Sequence, residues 1–117
     1  MAQYRKQLVT VVTDVSGDGI GYSTAFSGLL DRIVYVSGHG VGADIVVTSA
    51  ETAQVAVTAL NITAGGYWSP RLNIVYPDGS GGVLGQEEIS FANERVKITV
   101  ASGGNITTGT FWVYYTQ

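Results

Sequence analysis

The chain has 117 residues, enough for one domain of ordinary size but not for two. It contains no cysteine, which excludes disulfides and thiolate sites, and its one histidine is too few for an ordinary zinc site. Six basic residues against nine acidic ones give a formal charge of −3, and the scattered basic residues argue against a nucleic-acid partner. The sequence predicts a single domain over residues 1–117 without metal or cofactor.

Charged residues are scarce, at 13% of the chain, while hydrophobic residues make up 45%. A charge-poor surface is typical of a subunit covered in a homo-oligomer or larger assembly, although small Gly- and Thr-rich β domains can be charge-poor as monomers. No apolar run approaches the roughly 18 residues that span a bilayer. The basic start at Arg5-Lys6 lacks the apolar segment and cleavage site of a signal peptide, which favours an unprocessed protein made in the cytoplasm.

Short runs rich in Val, Ile, Thr and Tyr alternate with glycine-rich connections, and no segment has a sustained helical period. The predicted strands are Gln7–Thr13, Gly21–Phe26, Asp31–Val36, Asp44–Thr48, Gln54–Asn61, Arg71–Tyr76, Glu88–Phe91, Val96–Ala101 and Thr110–Tyr115. This spacing predicts an all-β antiparallel sandwich of about eight strands, jelly-roll or immunoglobulin-like, with a closed barrel as the alternative. Residues 1–6 are predicted to form a short N-terminal arm.

The strand at Phe111–Tyr115 is apolar or aromatic on both of its faces. Such a strand is either central in a sheet or covered by a neighbouring subunit. The glycine-rich turn at Ser102–Asn105 links two strong strand signals and predicts a β-hairpin. The segment Pro77–Glu94 is the longest weakly patterned stretch and is predicted to be a projecting loop.

No pattern in the sequence indicates catalysis. His39 stands between glycines without a nucleophile motif and predicts an exposed loop or interface residue. Asp14–Gly19 begins like a calcium loop, but Ala25 stands where the closing glutamate is required, so a polar turn is preferred. Glu87-Glu88 and Glu94 could serve as a glycosidase acid–base pair, but nothing in the sequence sets their separation. The chain is therefore predicted not to be an enzyme.

Two large aromatic residues, Tyr67 and Trp68, are placed by the sequence in a turn. Aromatic residues at such a position fold back over the core, anchor a protein interface or stack on a sugar. The residues predicted to contact a partner are Arg5, Lys6, Tyr67, Trp68, Trp112 and Tyr114.

Three segments carry a family resemblance: Gly21–Val36, Ala92–Val100, and Gly103–Asn105 followed by Gly109–Val113. Together they resemble short β-rich virion proteins of tailed bacteriophages, which decorate or cement the capsid shell or sit on tail structures. The resemblance covers about Leu8 to Tyr115 and implies a non-enzymatic sandwich, often trimeric, that sits where capsomers meet. It carries over no functional residues.

The resemblance and the composition together predict a capsid decoration or cement protein at the virion surface. Its partner would be the major capsid protein or another virion protein, and it would form a homotrimer. One alternative is a phage tail or fibre component. Another is a carbohydrate-binding module in which Tyr67 and Trp68 form the sugar platform.

Overall fold

The described residues, 3–75 and 83–117 of this computed structural model, form ten strands and no helix. The strands are β1 (Tyr4–Val12), β2 (Gly19–Tyr22), β3 (Phe26–Ser37), β4 (Ala43–Ser49), β5 (Val55–Ile62), β6 (Gly66–Trp68), β7 (Arg71–Val75), β8 (Val83–Glu94), β9 (Val96–Ala101) and β10 (Thr108–Thr116). None of the described segments is a helix long and apolar enough to cross a membrane.

The strands are arranged in two antiparallel sheets that form a β-sandwich, as predicted. The six-stranded sheet has the order β1-β10-β3-β8-β7, and β6 also pairs with β3. The four-stranded sheet has the order β2-β9-β4-β5. When the β7–β8 hairpin is set aside, the remaining orders, β1-β10-β3-β6 and β2-β9-β4-β5, are those of a jelly roll. The first strand pairs with the last instead of the second, which distinguishes this fold from the immunoglobulin-like alternative.

The structure corrects four local predictions. The turn at Ser102–Asn105 does not close a hairpin, because β9 and β10 belong to different sheets. Most of the predicted loop Pro77–Glu94 is strand β8, and residues 76–82 lie outside the described ranges. Phe26 begins β3 instead of ending the preceding strand. Tyr67 and Trp68 lie on β6 instead of in a turn, because the edge of β3 supplies a pairing partner for them.

The core lies between the sheets and is built from alternate residues of their strands. The fully buried side chains are Phe111, Leu30, Ile33, Ile45, Ile98, Val9, Val11, Val47, Val96, Val100 and Val113. An aromatic stack extends this core, because the ring of Phe26 lies 4.9 Å from that of Phe91 and 4.0 Å from that of Tyr115. Each large side chain buried in this way contributes about 1.5–3 kcal/mol relative to exposure.

Two glycines allow β2 to lie directly against β1 at one corner of the sandwich. A Cβ at Gly19 would lie 2.4 Å from the carbonyl oxygen of Val12, and one at Gly21 would lie 2.8 Å from the Val11 side chain. Only glycine permits so close an approach of the two backbones. The alternation Gly-Ile-Gly in β2 is therefore required by the packing of the two sheets.

The connections gather at the two ends of the sandwich. The loop end comprises residues 13–18, 38–42, 63–65 and 102–107, since Val12 pairs with Thr108 and Ala43 with Ile62. We call the second set of connections the opposite end; it comprises residues 23–25 and 50–54 together with Arg95, which separates β8 from β9.

Candidate functional site

The outer side of the six-stranded sheet carries a row of apolar side chains. Leu8 is paired with Trp112, Trp112 with Val34, and Val34 with Tyr67, so the row crosses four strands. Directly paired residues of antiparallel strands point to the same side of a sheet. The residues next to this row on β1 and β10, Val9 and Phe111, are buried in the core, so the row itself faces outward.

A second set of residues extends this surface toward the opposite end. Lys6 is paired with Tyr114, and Tyr114 with Arg32, on the same side of the sheet. We call the combined surface the outer aromatic face. Its residues are Tyr4, Lys6, Leu8, Val12, Arg32, Val34, Val36, Tyr67, Trp112 and Tyr114.

Much of the apolar area on this face is exposed to solvent. Tyr4 and Tyr67 are 82% and 73% exposed, and Leu8, Val12 and Val36 are each close to half exposed. Scattered exposed hydrophobic residues are normal, but a contiguous apolar surface on rigid strands is typical of a protein-interaction site. The outer aromatic face is therefore the first candidate for a functional surface.

Cations cover two of the aromatic rings of the face, those of Trp112 and Tyr114. The Nζ atom of Lys6 lies 4.6 Å from the ring centre of Trp112, and the guanidinium carbon of Arg32 lies 4.3 Å from that of Tyr114. Each cation–π contact is worth about 0.5–1 kcal/mol at an exposed site. The contacts fix both the rings and the charges, so the face presents positive charge above aromatic rings.

A shallow groove of about 260 Å³ lies at the edge of this face. It is lined by Tyr4, Arg5, Lys6 and Tyr114. Three of these residues were predicted as contact residues from the sequence. The segment predicted as an N-terminal arm is part of β1 from Tyr4 onward, and its pairing with β10 positions the groove.

The structure brings four of the six predicted contact residues together. Lys6, Tyr67, Trp112 and Tyr114 lie on the outer aromatic face, with Arg5 at its edge. Trp68 points the other way, since it is paired with the buried Ile33 and packs against the core. Tyr67 and Trp68 therefore cannot form one sugar platform.

Sequence reasoning missed six members of the face: Tyr4, Leu8, Val12, Arg32, Val34 and Val36. A signal for Val34 was present, because β3 is apolar on both sides around Ile33 and Tyr35. Arg32 lies two residues before Val34 and therefore on the same side of β3. Only the long-range register, in which Arg32 pairs with Tyr114, reveals that its guanidinium lies over that ring.

His39 at the loop end is folded back onto the core instead of projecting from it. Its ring stacks on Tyr35, with the ring centres 5.9 Å apart, and its backbone N–H donates to the Tyr35 hydroxyl at 2.9 Å. On the other side the ring lies against Gly109, where a Cβ would be 2.0 Å from Nε2. Burial lowers the pKa of His39 from its ordinary value of 6.5, so the imidazole is neutral at pH 7.

Two threonines fix the orientation of the His39 ring. The Thr107 hydroxyl donates to the Gly103 carbonyl at 2.7 Å and lies 2.9 Å from His39 Nδ1. The Thr107 hydroxyl and His39 Nδ1 therefore share a hydrogen bond. The Thr13 hydroxyl accepts from the Thr107 backbone N–H at 2.7 Å and donates to the Gly104 carbonyl at 2.8 Å. We call Thr13, Thr107 and His39 the threonine–histidine cluster.

A pocket of about 140 Å³ opens beside His39. Its polar side chains are those of His39, Tyr35, Ser37 and Thr63, and no carboxylate lines it. The Nε2 atom of His39 is buried without a hydrogen-bond partner among the described residues. The two ring nitrogens of His39 face Thr107 and Gly109.

Of the carboxylates considered from the sequence, Asp14 and Glu94 accept hydrogen bonds within the fold, while Oε2 of Glu88 is buried without a hydrogen-bond partner among the described residues. Asp14 Oδ1 accepts from the backbone N–H groups of Ser16 and Asp18 at 2.8 and 3.1 Å, which is the predicted polar turn. Glu94 accepts from the Ser49 hydroxyl at 2.6 Å. Within the described residues no group of three His, Cys, Asp or Glu side chains is placed to hold a metal ion.

Comparison with known proteins adds no identification. No protein-family model matches the chain, and no similar curated protein or solved structure is found.

Proposed function

We propose that this protein is a structural subunit of a phage virion, a capsid decoration or cement protein that stabilises the shell by bridging capsid subunits. The outer aromatic face is the observation that supports this function. It combines tyrosines, a tryptophan and an arginine, the side chains that are enriched at the centres of protein interfaces, with a lysine and exposed aliphatic residues.

The rigidity of the face also supports a role in contact. Its residues lie on paired strands, so little conformational entropy is lost when a partner covers them. Lys6 and Arg32 already rest on aromatic rings, which fixes two long side chains before binding. A subunit that binds only the assembled shell would stabilise it by mass action, with a gain of RT ln(1 + [L]/Kd) for each occupied site.

Shells prepared without the protein provide the direct test. Addition of the wild-type protein is expected to raise the temperature at which the shells release DNA and to improve their survival of osmotic shock. Tyr67→Ser removes an exposed ring of the outer aromatic face and is expected to weaken binding at least about tenfold. Leu60→Ser is the matched control, since Leu60 is 64% exposed but lies on β5 in the other sheet.

The result that would contradict a cement role is equal survival of shells with and without the protein. If the protein binds purified tails or fibres and not shells, the tail component becomes the better assignment.

A carbohydrate-binding module is the second candidate, because Tyr67 and Trp112 belong to one outward-facing row. It predicts glycan-array binding that both Tyr67→Ser and Trp112→Ala abolish, with no affinity for shells. Trp68→Ala would not serve as this test, since Trp68 packs against the core.

A further inference from the structure

Three aliphatic side chains project from the loop end. Val41 is 80% exposed, Val15 73% and Ile106 64%, and each belongs to a different connection. Loop tips usually carry small polar residues, so exposed aliphatic residues on three neighbouring connections form an unusual surface.

Backbone hydrogen bonds hold these connections together. The Gly103 N–H donates to the Gly17 carbonyl and the Gly40 N–H to the Gly103 carbonyl, each at 2.8 Å. The Ile106 N–H donates to the Asp14 carbonyl at 3.0 Å. The apolar tips are therefore presented by one cross-linked platform instead of by three independent loops.

The backbone at Ile106 is strained. Its φ angle is +48°, in the left-handed region that asparagine and glycine accept and that a β-branched residue strongly disfavours. An isoleucine at this exposed tip therefore makes the fold less stable than an asparagine or glycine there would. Strain of this kind concentrates at functional positions.

The loop end and the outer aromatic face have opposite charge. Asp14 and Asp18 lie in the loop end and Asp44 directly borders it, while residues 13–18, 38–44, 61–66 and 101–109 contain no lysine or arginine. The outer aromatic face carries Lys6 and Arg32. The nearby carboxylate of Asp31 is already held by Arg71 at 3.6 Å.

We propose that the loop end of one copy of this chain docks on the outer aromatic face of the next copy. Val15, Val41 and Ile106 would contact the apolar row, and the aspartates would approach the cations of the face. The two surfaces differ, so the contact is head-to-tail and closes into a ring if the rotation between copies permits. The homotrimer expected from the family resemblance is such a ring.

This contact rests on the proposed function and assigns the outer aromatic face to contact between copies, so the ring and not the single chain is the unit that bridges capsid subunits. A ring holds several shell contacts at once, which raises its avidity for the shell above that of one chain. A negatively charged bilayer is a poorer occupant of the loop end, because the loop end contains aspartates and no basic residue.

Sedimentation of the purified protein tests the proposal without any other component. The wild type is expected to show the mass of more than one chain, decreasing toward one chain on dilution and at high salt. Ile106→Asn and Lys6→Glu are each expected to give one-chain species, while Leu60→Ser retains the wild-type mass. Ile106→Asn relieves backbone strain and is expected to raise Tm by about 2–5 °C, which separates lost association from unfolding.

Mixing the two defective variants decides between a head-to-tail and a symmetric contact. The Lys6→Glu protein keeps its loop end and the Ile106→Asn protein keeps its face, so together they are expected to form a two-chain species and nothing larger. A wild type that is one chain at every concentration, or a mixture that forms no pair, would overturn the proposal. A monomeric protein that still stabilises shells would contradict only the contact between copies. A ring that binds no shell would contradict only the cement function.

Discussion

The two ends of the sandwich are held together by different chemistry. At the loop end the threonine–histidine cluster joins the connections through hydroxyl groups, backbone carbonyls and a neutral imidazole. At the opposite end the bonds involve charges: Ser49 donates to Glu94, and Arg95 pairs with Glu51 at 3.0 Å while its guanidinium lies over the Tyr22 ring. The loop end thus keeps its order without ion pairs.

This difference has a consequence for binding. The bonds of the threonine–histidine cluster are neutral and part-buried and are kept when a partner removes water, whereas an exposed ion pair must be desolvated together with the surface. The loop end is therefore better suited than the opposite end to be covered by protein. Four measurements can strengthen or break this comparison.

Substitution of the threonine–histidine cluster should have the largest effect. Thr107→Val keeps the shape of the side chain but leaves His39 Nδ1 without its partner and removes one of the two donors to the Gly103 carbonyl, which keeps the Gly40 N–H. The expected loss is about 2–3 kcal/mol of unfolding free energy, measured by urea denaturation. Thr108→Val is the control, since Thr108 is exposed and should change stability by less than about 0.5 kcal/mol. A Thr107→Val protein as stable as the control would show that the cluster does not hold the loop end.

Ser49→Ala at the opposite end should have a smaller effect. Ser49 is buried, and its hydroxyl donates to Glu94 at 2.6 Å, but Glu94 also accepts from the backbone N–H of Ala92. Because the carboxylate keeps a partner, the expected loss is about 1–2 kcal/mol in the same urea experiment. A loss larger than that of Thr107→Val would reverse the comparison between the ends.

Acid should weaken the two ends in separate pH ranges. The unfolded chain takes up a proton on His39 near pH 6.5, while burial lowers the pKa of His39 in the folded chain. Between the two values the unfolded state binds more protons, so stability falls as the pH drops below about 6.5. Hydrogen bonds from the backbone and side chain of Arg95 lower the pKa of Glu51 from 4.5, so its contribution is lost only at more acid pH.

The measurement is Tm as a function of pH in the wild type and in His39→Gln. The glutamine does not titrate, so the decline that begins near pH 6.5 should be reduced in the variant, while the decline below pH 4.5 remains in both. Identical profiles for the two proteins would mean that His39 is accessible to protons in the folded state.

Removal of the exposed ion pair should have the smallest effect. The side chains of Arg95 and Glu51 are 44% and 38% exposed, so water and salt screen their attraction. Arg95→Ala is expected to lower Tm by about 2 °C or less, and by less still at about 0.5 M NaCl. A larger decrease that salt does not reduce would assign the loss to packing of Arg95 on Tyr22 instead of to charge.

The fold class and many strands could be predicted because local composition and alternation agree with the final structure. For β9 the predicted and observed bounds are both Val96–Ala101, since Val96, Ile98 and Val100 face the core and the residues between them are polar. β6 could not be predicted, because its three residues become a strand only through pairing with β3. The Ser102–Asn105 turn was misassigned because the same turn residues serve within a sheet and between sheets.

The candidate site was predictable to the extent that it lies on regular strands. Alternation in β10 places Trp112 and Tyr114 on the same side, and alternation in β1 adds Lys6. The opposite directions of Tyr67 and Trp68 could not be derived while both were assigned to a turn, which defines no faces. The loop end was also missed as a surface, because Val15, Val41 and Ile106 are far apart in sequence and lie on connections that only the fold brings together.

The central position of β10 has a consequence for synthesis of the protein. β10 lies between β1 and β3, so Gln7 and Tyr115 bond across 108 positions of the chain. While Thr108–Thr116 remain in the ribosome, β1 has no partner in its sheet and β3 has an open edge. Such edges promote aggregation and long-range pairing slows folding, so chaperones are expected to hold the nascent chain. The outer aromatic face therefore forms only after β10 has been synthesised and has paired with β1 and β3.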